Sequence, residues 1–386
     1  MDGPSPLARA GLVLALWGAG LAAAAQFAKI SVVMAQLQAT YPDAGLWSGF
    51  VLSVISAFGV LFGVVGGTVV ARLGTRRVLI WSLALGATMS GAQSFLPPLW
   101  LMLVLRTIEG VSHLGIVIAA PTLIAALVPG RGQGAAMTLW GSFFGVSYAL
   151  TAWVGVPLVG ALGLPSIFLV HGALMLAFGV LLWRVLPAVG TAPAPVPGGA
   201  LAAQLSIYRS PYLGAPALGW LFYTLTFVAI LSLLPPFVAQ PDRAWLLTVL
   251  PLAGIGVSLT LGVLLLAVLP AAGVVVAGFA LSALAVGALG LSGSEPWLWV
   301  VLFGALGLVQ GASFAAVPQL TATGDGRALA NGAMAQMGNL GNLSGTPILM
   351  AIIASAGFEG MIFAALVVYA AGGAVHLALA ARRGSL

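Results

Sequence analysis

Leu105 to Thr122 reads LRTIEGVSHLGIVIAAPT, and it lies inside an apolar run from Leu99 to Val128. The run is long enough for one membrane-crossing helix. Within it stand Arg106, Glu109 and His113, and spacings of three and four place all three on one helical face. A charged side chain at membrane depth costs about 3 kcal/mol on insertion scales. Three ionisable groups of mixed sign on one face therefore predict a polar interior between helices. The alternative is a structural Arg106–Glu109 pair that only fastens two helices together.

The rest of the chain has the same character. It is 61% hydrophobic and 5% charged over 386 residues, with apolar stretches of membrane-spanning length throughout. That composition excludes a soluble globular domain and predicts an all-α polytopic membrane protein. The ten-residue alternation of a β-barrel is absent. A net charge of +6 would suggest nucleic acid in a soluble protein, but the basic residues here cluster at span ends. No nucleic-acid partner is expected. With no cysteine and three widely spaced histidines, no metal site is expected, and no phosphate-binding loop or other cofactor motif is present. The N-terminus lacks a cleavable signal pattern, so Gly11 onward reads as a retained span.

Twelve spans are expected, at about 11–37, 46–71, 78–95, 99–128, 135–158, 165–186, 212–238, 244–268, 271–292, 296–321, 328–355 and 359–381. Residues 187–211, rich in Pro, Ala and Gly, read as a linker with a short interfacial helix near Ala200 to Arg209. The expected domains are a six-helix bundle over 1–188, a cytoplasmic linker over 189–211 and a second bundle over 212–386. Arg9, Arg72, Arg76, Arg77, Arg131, Arg184, Arg209, Arg327, Arg382 and Arg383 fall on one side, ten of the 13 basic residues. Asp43, Asp242, Glu295 and Glu359 fall on the other. The bias places both termini in the cytoplasm, with a bacterial inner (plasma) membrane as the expected location. The halves also echo each other. Arg131 to Met137 with Gly141 parallels Arg327 to Met334 with Gly338, as expected of parallel repeats with a site at their interface.

These features, with two short motifs, make the chain resemble the major facilitator superfamily over essentially its whole length. The loop after span 2 presents Gly67, Arg72, Gly74, Arg76 and Arg77 in that family's loop pattern, and Arg106 with Gly110 matches its span 4 pattern. Ala71 stands where the family has an Asp that helps lock the two bundles, so the resemblance does not extend to that lock. The fold it implies is two pseudo-symmetric six-helix bundles that alternate access to a central site. The loop arginines are expected to sit at anionic lipid headgroups.

The expected substrate-binding residues are Lys29 and Gln26 on span 1, Arg106, Tyr148 on span 5, Tyr223 on span 7, Gln310 on span 10 and Asn339 on span 11. His171, with Lys29, is a further candidate for buried charge or protonation in the first half, although as single histidines His171 and His376 read more often as packing or lipid-edge residues. Lys29 and Arg106 bring two positive charges and Glu109 one negative, so a single positive charge is left over. The expected function is proton-coupled secondary transport, by symport, of a small carboxylate or oxyanion, with Glu109 and His113 as the coupling groups. Sodium could replace the proton. A proton-coupled exporter of lipophilic or cationic compounds and a non-transporting scaffold are the alternatives, and no enzyme activity is expected. The protein is expected to be a monomer in contact with membrane lipids.

Overall fold

A computed structural model describes residues 5–44, 47–130, 132–187 and 200–384, all helix and connecting turns with no strand among them. Helix α1 (Pro6–Ser31) opens on Ser5, whose hydroxyl accepts from the amide of Ala8, with Pro6 pre-set in the first turn. Short α2 (Met34–Thr40) and a 3-10 turn at Pro42–Ala44 continue it. Then come α3 (Trp47–Leu73), α4 (Thr75–Gln93), α5 (Leu99–Leu127), α6 (Gly132–Gly141), α7 (Phe143–Leu162) and α8 (Pro165–Val185). Helix α9 (Ala200–Arg209) coincides with the expected interfacial helix. The second half follows as α10 (Gly214–Leu233), α11 (Gln240–Val257), α12 (Val263–Leu266), α13 (Ala271–Ser292), α14 (Pro296–Leu320) and α15 (Gly324–Arg383).

Ten of these helices are long and apolar enough to cross a membrane. The 60-residue α15 reverses at Gly357, where φ 60° and ψ −150° are open to glycine but strained for other residues, so it supplies two crossings. Helix α4 carries Arg76 and Arg77 in its first turn and is less apolar, yet its 19 residues rise about 28 Å, the thickness of the hydrocarbon layer. The twelve expected spans are thus all helical. Three are interrupted, span 1 at Val32 and Val33 between α1 and α2. Span 5 breaks at Ser142, whose hydroxyl bonds the carbonyl of Leu139 at 2.7 Å, and span 8 widens into a π turn at Ser258–Gly262. Hydroxyls that take a nearby carbonyl from the helical ladder favour such breaks; Thr260 does so at the oxygen of Gly256, 2.6 Å away. The 3-10 turn at Pro235–Phe237 ends α10 at the proline pair, where a kink or stop is expected because the two prolines donate no amide hydrogen bond.

The two halves of the chain meet along α3 and α15. A Cβ on Gly332 would lie 2.6 Å from the oxygen of Gly63 and 3.0 Å from Cα of Gly67, so the backbones touch there. Asn331 donates to Thr122 on α5 at 3.0 Å, and Gln310 on α14 donates to the oxygen of Gly141 on α6 at 2.6 Å. Helix α9 joins this seam: Tyr208 donates to Gln336 at 2.6 Å, and Gln336 donates to the oxygen of Val60 on α3 at 2.6 Å. The contacts made by α3, at Val60, Gly63 and Gly67, lie in the part of that helix that leads to Arg72, so the halves are closed at that end. Ala71 is buried there and offers no carboxylate, and neutral hydrogen bonds hold the closure instead.

Candidate functional site

Five helices of the first half converge on one carboxylate. Helix α1 brings Lys29, which is 1% exposed, and α5 brings Arg106 and Glu109, both 0% exposed. Lys29 Nζ donates to Glu109 Oε1 at 2.7 Å and to Ser90 Oγ on α4 at 2.8 Å. Its third donor points at His171 Nδ1 on α8, 3.2 Å away. His171 Nε2 lies 2.9 Å from the oxygen of Ala22; a carbonyl only accepts, so the ring proton is on Nε2 and Nδ1 is free to accept from the lysine. The ammonium also sits 5.3 Å over the Phe168 ring.

Glu109 Oε2 takes the other half of the charge. Arg106 Nη1 donates to it at 2.5 Å and Gln93 Nε2 at 2.7 Å. Arg106 Nε donates to the oxygen of Val51 on α3 at 2.9 Å, while its Nη2 is buried without a partner. Lys29–Glu109 and Arg106–Glu109 are the ion pairs found among the described residues. Two cations share one anion, and one positive charge remains. Beside them Gln26 Nε2 donates to Ser112 Oγ at 3.0 Å, and Ser112 donates on to the oxygen of Ser82 at 2.6 Å.

A cavity of about 920 Å³, its open mouth included, lies between the two halves. Its wall is mostly apolar and rich in rings, with Phe27, Phe144, Trp220, Tyr223, Phe227 and Phe314 among them. Trp220 stacks on Tyr223 at 4.6 Å and Tyr223 on Phe227 at 5.1 Å, a rigid shelf from α10. The polar lining consists of His113, Gln310, Asn331, Asn339 and Asn342, with Thr224 and Tyr223. No charged side chain is among the described lining residues.

Of the residues singled out from the sequence, His113, Tyr223, Gln310 and Asn339 line this cavity, whereas Lys29, Arg106, Glu109, Gln26 and Tyr148 do not. Lys29, Arg106 and Glu109 are together and buried outside its lining. Phe27 and His113, which do line it, stand two residues from Lys29 on α1 and one turn from Glu109 on α5. Tyr148 tilts against Phe144 at 5.0 Å. Asn339 Nδ2 bonds its own helix at the oxygen of Ala335, 2.7 Å away. Ser90, Gln93 and His171 also belong to the charged cluster: His171 stands with Lys29 as the sequence suggests for a buried protonatable group, whereas nothing in the sequence singles out Ser90 and Gln93. Gly67 lies against the backbone of Ala328, and Gly74 turns the chain into α4 with φ 90°. Arg72 and Arg77 are exposed. Arg76 departs from expectation: it donates to the oxygens of Leu186 at 3.0 Å and Trp183 at 2.6 Å, capping the last carbonyls of α8 rather than reaching for lipid. Arg131 lies outside the described residues.

Residues 12–271 match the family model of the Major Facilitator Superfamily. Among solved structures, the human organic anion transporter MFSD10 (TETRAN) is similar at 17% identity and TM-score 0.78, over 97% of this chain and 100% of that one. FucP in the outward conformation is similar at 16% identity and TM-score 0.76, over 96% and 98%. The proton:xylose symporter XylE is similar at 15% identity and TM-score 0.74, over 97% and 95%. At these identities the likeness is one of fold. No curated protein matches the chain by sequence.

Proposed function

The chain belongs to the major facilitator superfamily, and from that premise we propose that it is a proton-coupled secondary transporter of a small organic anion with an aromatic or other apolar body. The observation that carries this reading is the single uncompensated positive charge buried behind an aromatic cavity. At roughly 10 Å and an effective dielectric constant near 20, one such charge favours a monoanion in the cavity by about 1.7 kcal/mol. The rings supply the apolar contact, and Gln310, Asn339 and Tyr223 supply neutral hydrogen-bonding groups.

In this reading residues 1–188 and 212–386 are the two rocking bundles, joined by the linker 189–211. The basic end is cytoplasmic, so the seam over Gly63 and Gly332 closes the cytoplasmic side and the protein faces outward. The similarity to FucP in the outward conformation is in keeping with that orientation. When the bundles rock, Lys29 and Arg106 Nη2 are the cationic donors nearest the substrate path. MFSD10, a human organic anion transporter, has the same fold, which supports the substrate class without establishing it.

The aromatic wall alone would also suit a lipophilic cation, each ring being worth about 0.5–2 kcal/mol to it. The positive charge behind the wall opposes that reading. Purified protein in proteoliposomes with an imposed pH gradient tests the choice: phenylacetate should accumulate and phenethylammonium should not. Accumulation of the amine alone would overturn the anion reading, and flux of neither would leave no support for transport.

A further inference from the structure

His113 is where the buried charges meet the cavity. Its Nδ1 lies 3.1 Å from the oxygen of Ala23, so the ring proton sits on Nδ1 and Nε2 carries a lone pair. The ring stands edge-on to Phe27, with centroids 4.9 Å apart and planes at 78°, and both rings line the cavity. Among the described lining residues His113 and Tyr223 alone can titrate, and only a histidine changes charge near neutral pH. Glu109 is poorly placed for that task, because Lys29, Arg106 and Gln93 all donate to it and it is 0% exposed.

The surroundings of His113 contain few charges. Lys29 comes from α1, Arg106 and Glu109 from its own helix, and His171 from α8. The other elements contribute neutral groups: Ser82, Ser90 and Gln93 of α4 bond to Ser112, Lys29 and Glu109, and Gly141 of α6, Gln310 of α14 and Asn331 and Asn339 of α15 line the cavity. Tyr148 on α7 and Tyr223 on α10 add phenols, and α3 presents Phe58 and the carbonyl of Val51.

Resting on the transport reading above, we propose that the coupling proton is the substrate's own, handed from a carboxylic acid to Nε2 of His113 inside the cavity. The acid's O–H bond breaks and an N–H bond forms at Nε2. Carboxylate and imidazolium are left as a neutral pair, with Nδ1–H still on the oxygen of Ala23. Release reverses the step, so one proton travels with each substrate and transport is electroneutral. Glu109 stays ionised throughout and serves to hold Lys29 and Arg106.

The test is calorimetric titration of the full-length purified protein with benzoate, phenylacetate and indole-3-acetate at neutral pH, in buffers of different ionisation enthalpy. Wild type should take up close to one proton per carboxylate bound, while His113→Gln and His113→Asn should bind the same acids more weakly with no uptake. Binding of neutral phenylacetamide by the variants reports that they are folded. Ligand-induced infrared difference spectra of wild type supply a second readout, with imidazolium bands and no new protonated-carboxyl stretch expected. Acid binding without proton uptake in wild type, undiminished uptake in either variant, or a new carboxyl stretch would overturn the proposal while leaving the transport reading in place. Failure of all three acids to bind wild type would remove the substrate reading, and this inference with it.

Discussion

Lys29 and Glu109 are 80 residues apart in the chain and 2.7 Å apart in the fold, with 1% and 0% of their side chains exposed. Burial keeps salt from screening the pair, and Arg106 shares the same carboxylate, so each member's removal leaves a different residual charge. Glu109→Gln leaves two facing cations with no anion. Lys29→Met leaves a neutral Arg106–Glu109 pair. The first should cost about 3–5 kcal/mol, as for other broken buried pairs. The second should cost about 1–2 kcal/mol for lost hydrogen bonds. Thermal unfolding in detergent ranks them, and equal or greater loss in Lys29→Met would contradict the charge count.

The seam between α3 and α15 has no room for a side chain at Gly332, where a Cβ would meet the oxygen of Gly63 at 2.6 Å. Gly332→Val should therefore force the Arg72 end apart. The chain has no cysteine, so spin labels attach only where cysteines are introduced, for example at exposed Leu73 and Ala322. Double electron–electron resonance should show a longer Leu73–Ala322 distance in the variant. An unchanged distance would mean that this contact does not hold the closure.

Tyr208 reaches from α9 to Gln336, which in turn holds Val60. Burial pushes the Tyr208 hydroxyl pKa up, so the folded protein keeps this proton more tightly than the unfolded chain does. The stability it contributes is thus complete below the ordinary tyrosine value of about 10 and declines as the pH rises above it. Tyr208→Phe should cost about 1 kcal/mol at neutral pH. Wild type should lose that advantage in strong alkali, as followed by thermal unfolding against pH. A wild-type advantage that grew with alkalinity would contradict the bond.

Much of this is legible in the amino-acid sequence, for a physical reason. Membrane burial makes each intramembrane charge conspicuous, and helical spacing alone puts Glu109 beside Arg106. Spacing within one helix cannot say what crosses to another. Lys29 belongs to Glu109 only because α1 lies against α5, and His171 joins them from α8, so a histidine that reads more often as packing proves to be an acceptor for the lysine. The cavity was harder still. Its rings come from α1, α6, α7, α10 and α14, and in a chain this apolar no single phenylalanine stands out. The interruption at Ser142 was also hidden, since it depends on which carbonyl a hydroxyl takes.

The central claim is that one unpaired positive charge behind the aromatic wall selects an anion, and the most direct measurement compares charge variants of one ligand in two proteins. Purified His113→Gln and the double variant Lys29→Met/His113→Gln, in which no proton accompanies the anion, would be assayed for binding of phenylacetate against neutral phenylacetamide. The single variant should prefer the carboxylate, and the double variant, whose cluster is electrically neutral, should lose about tenfold or more of that preference, in line with roughly 1.7 kcal/mol from a single charge. A double variant that is folded and still prefers phenylacetate as strongly as His113→Gln would contradict it.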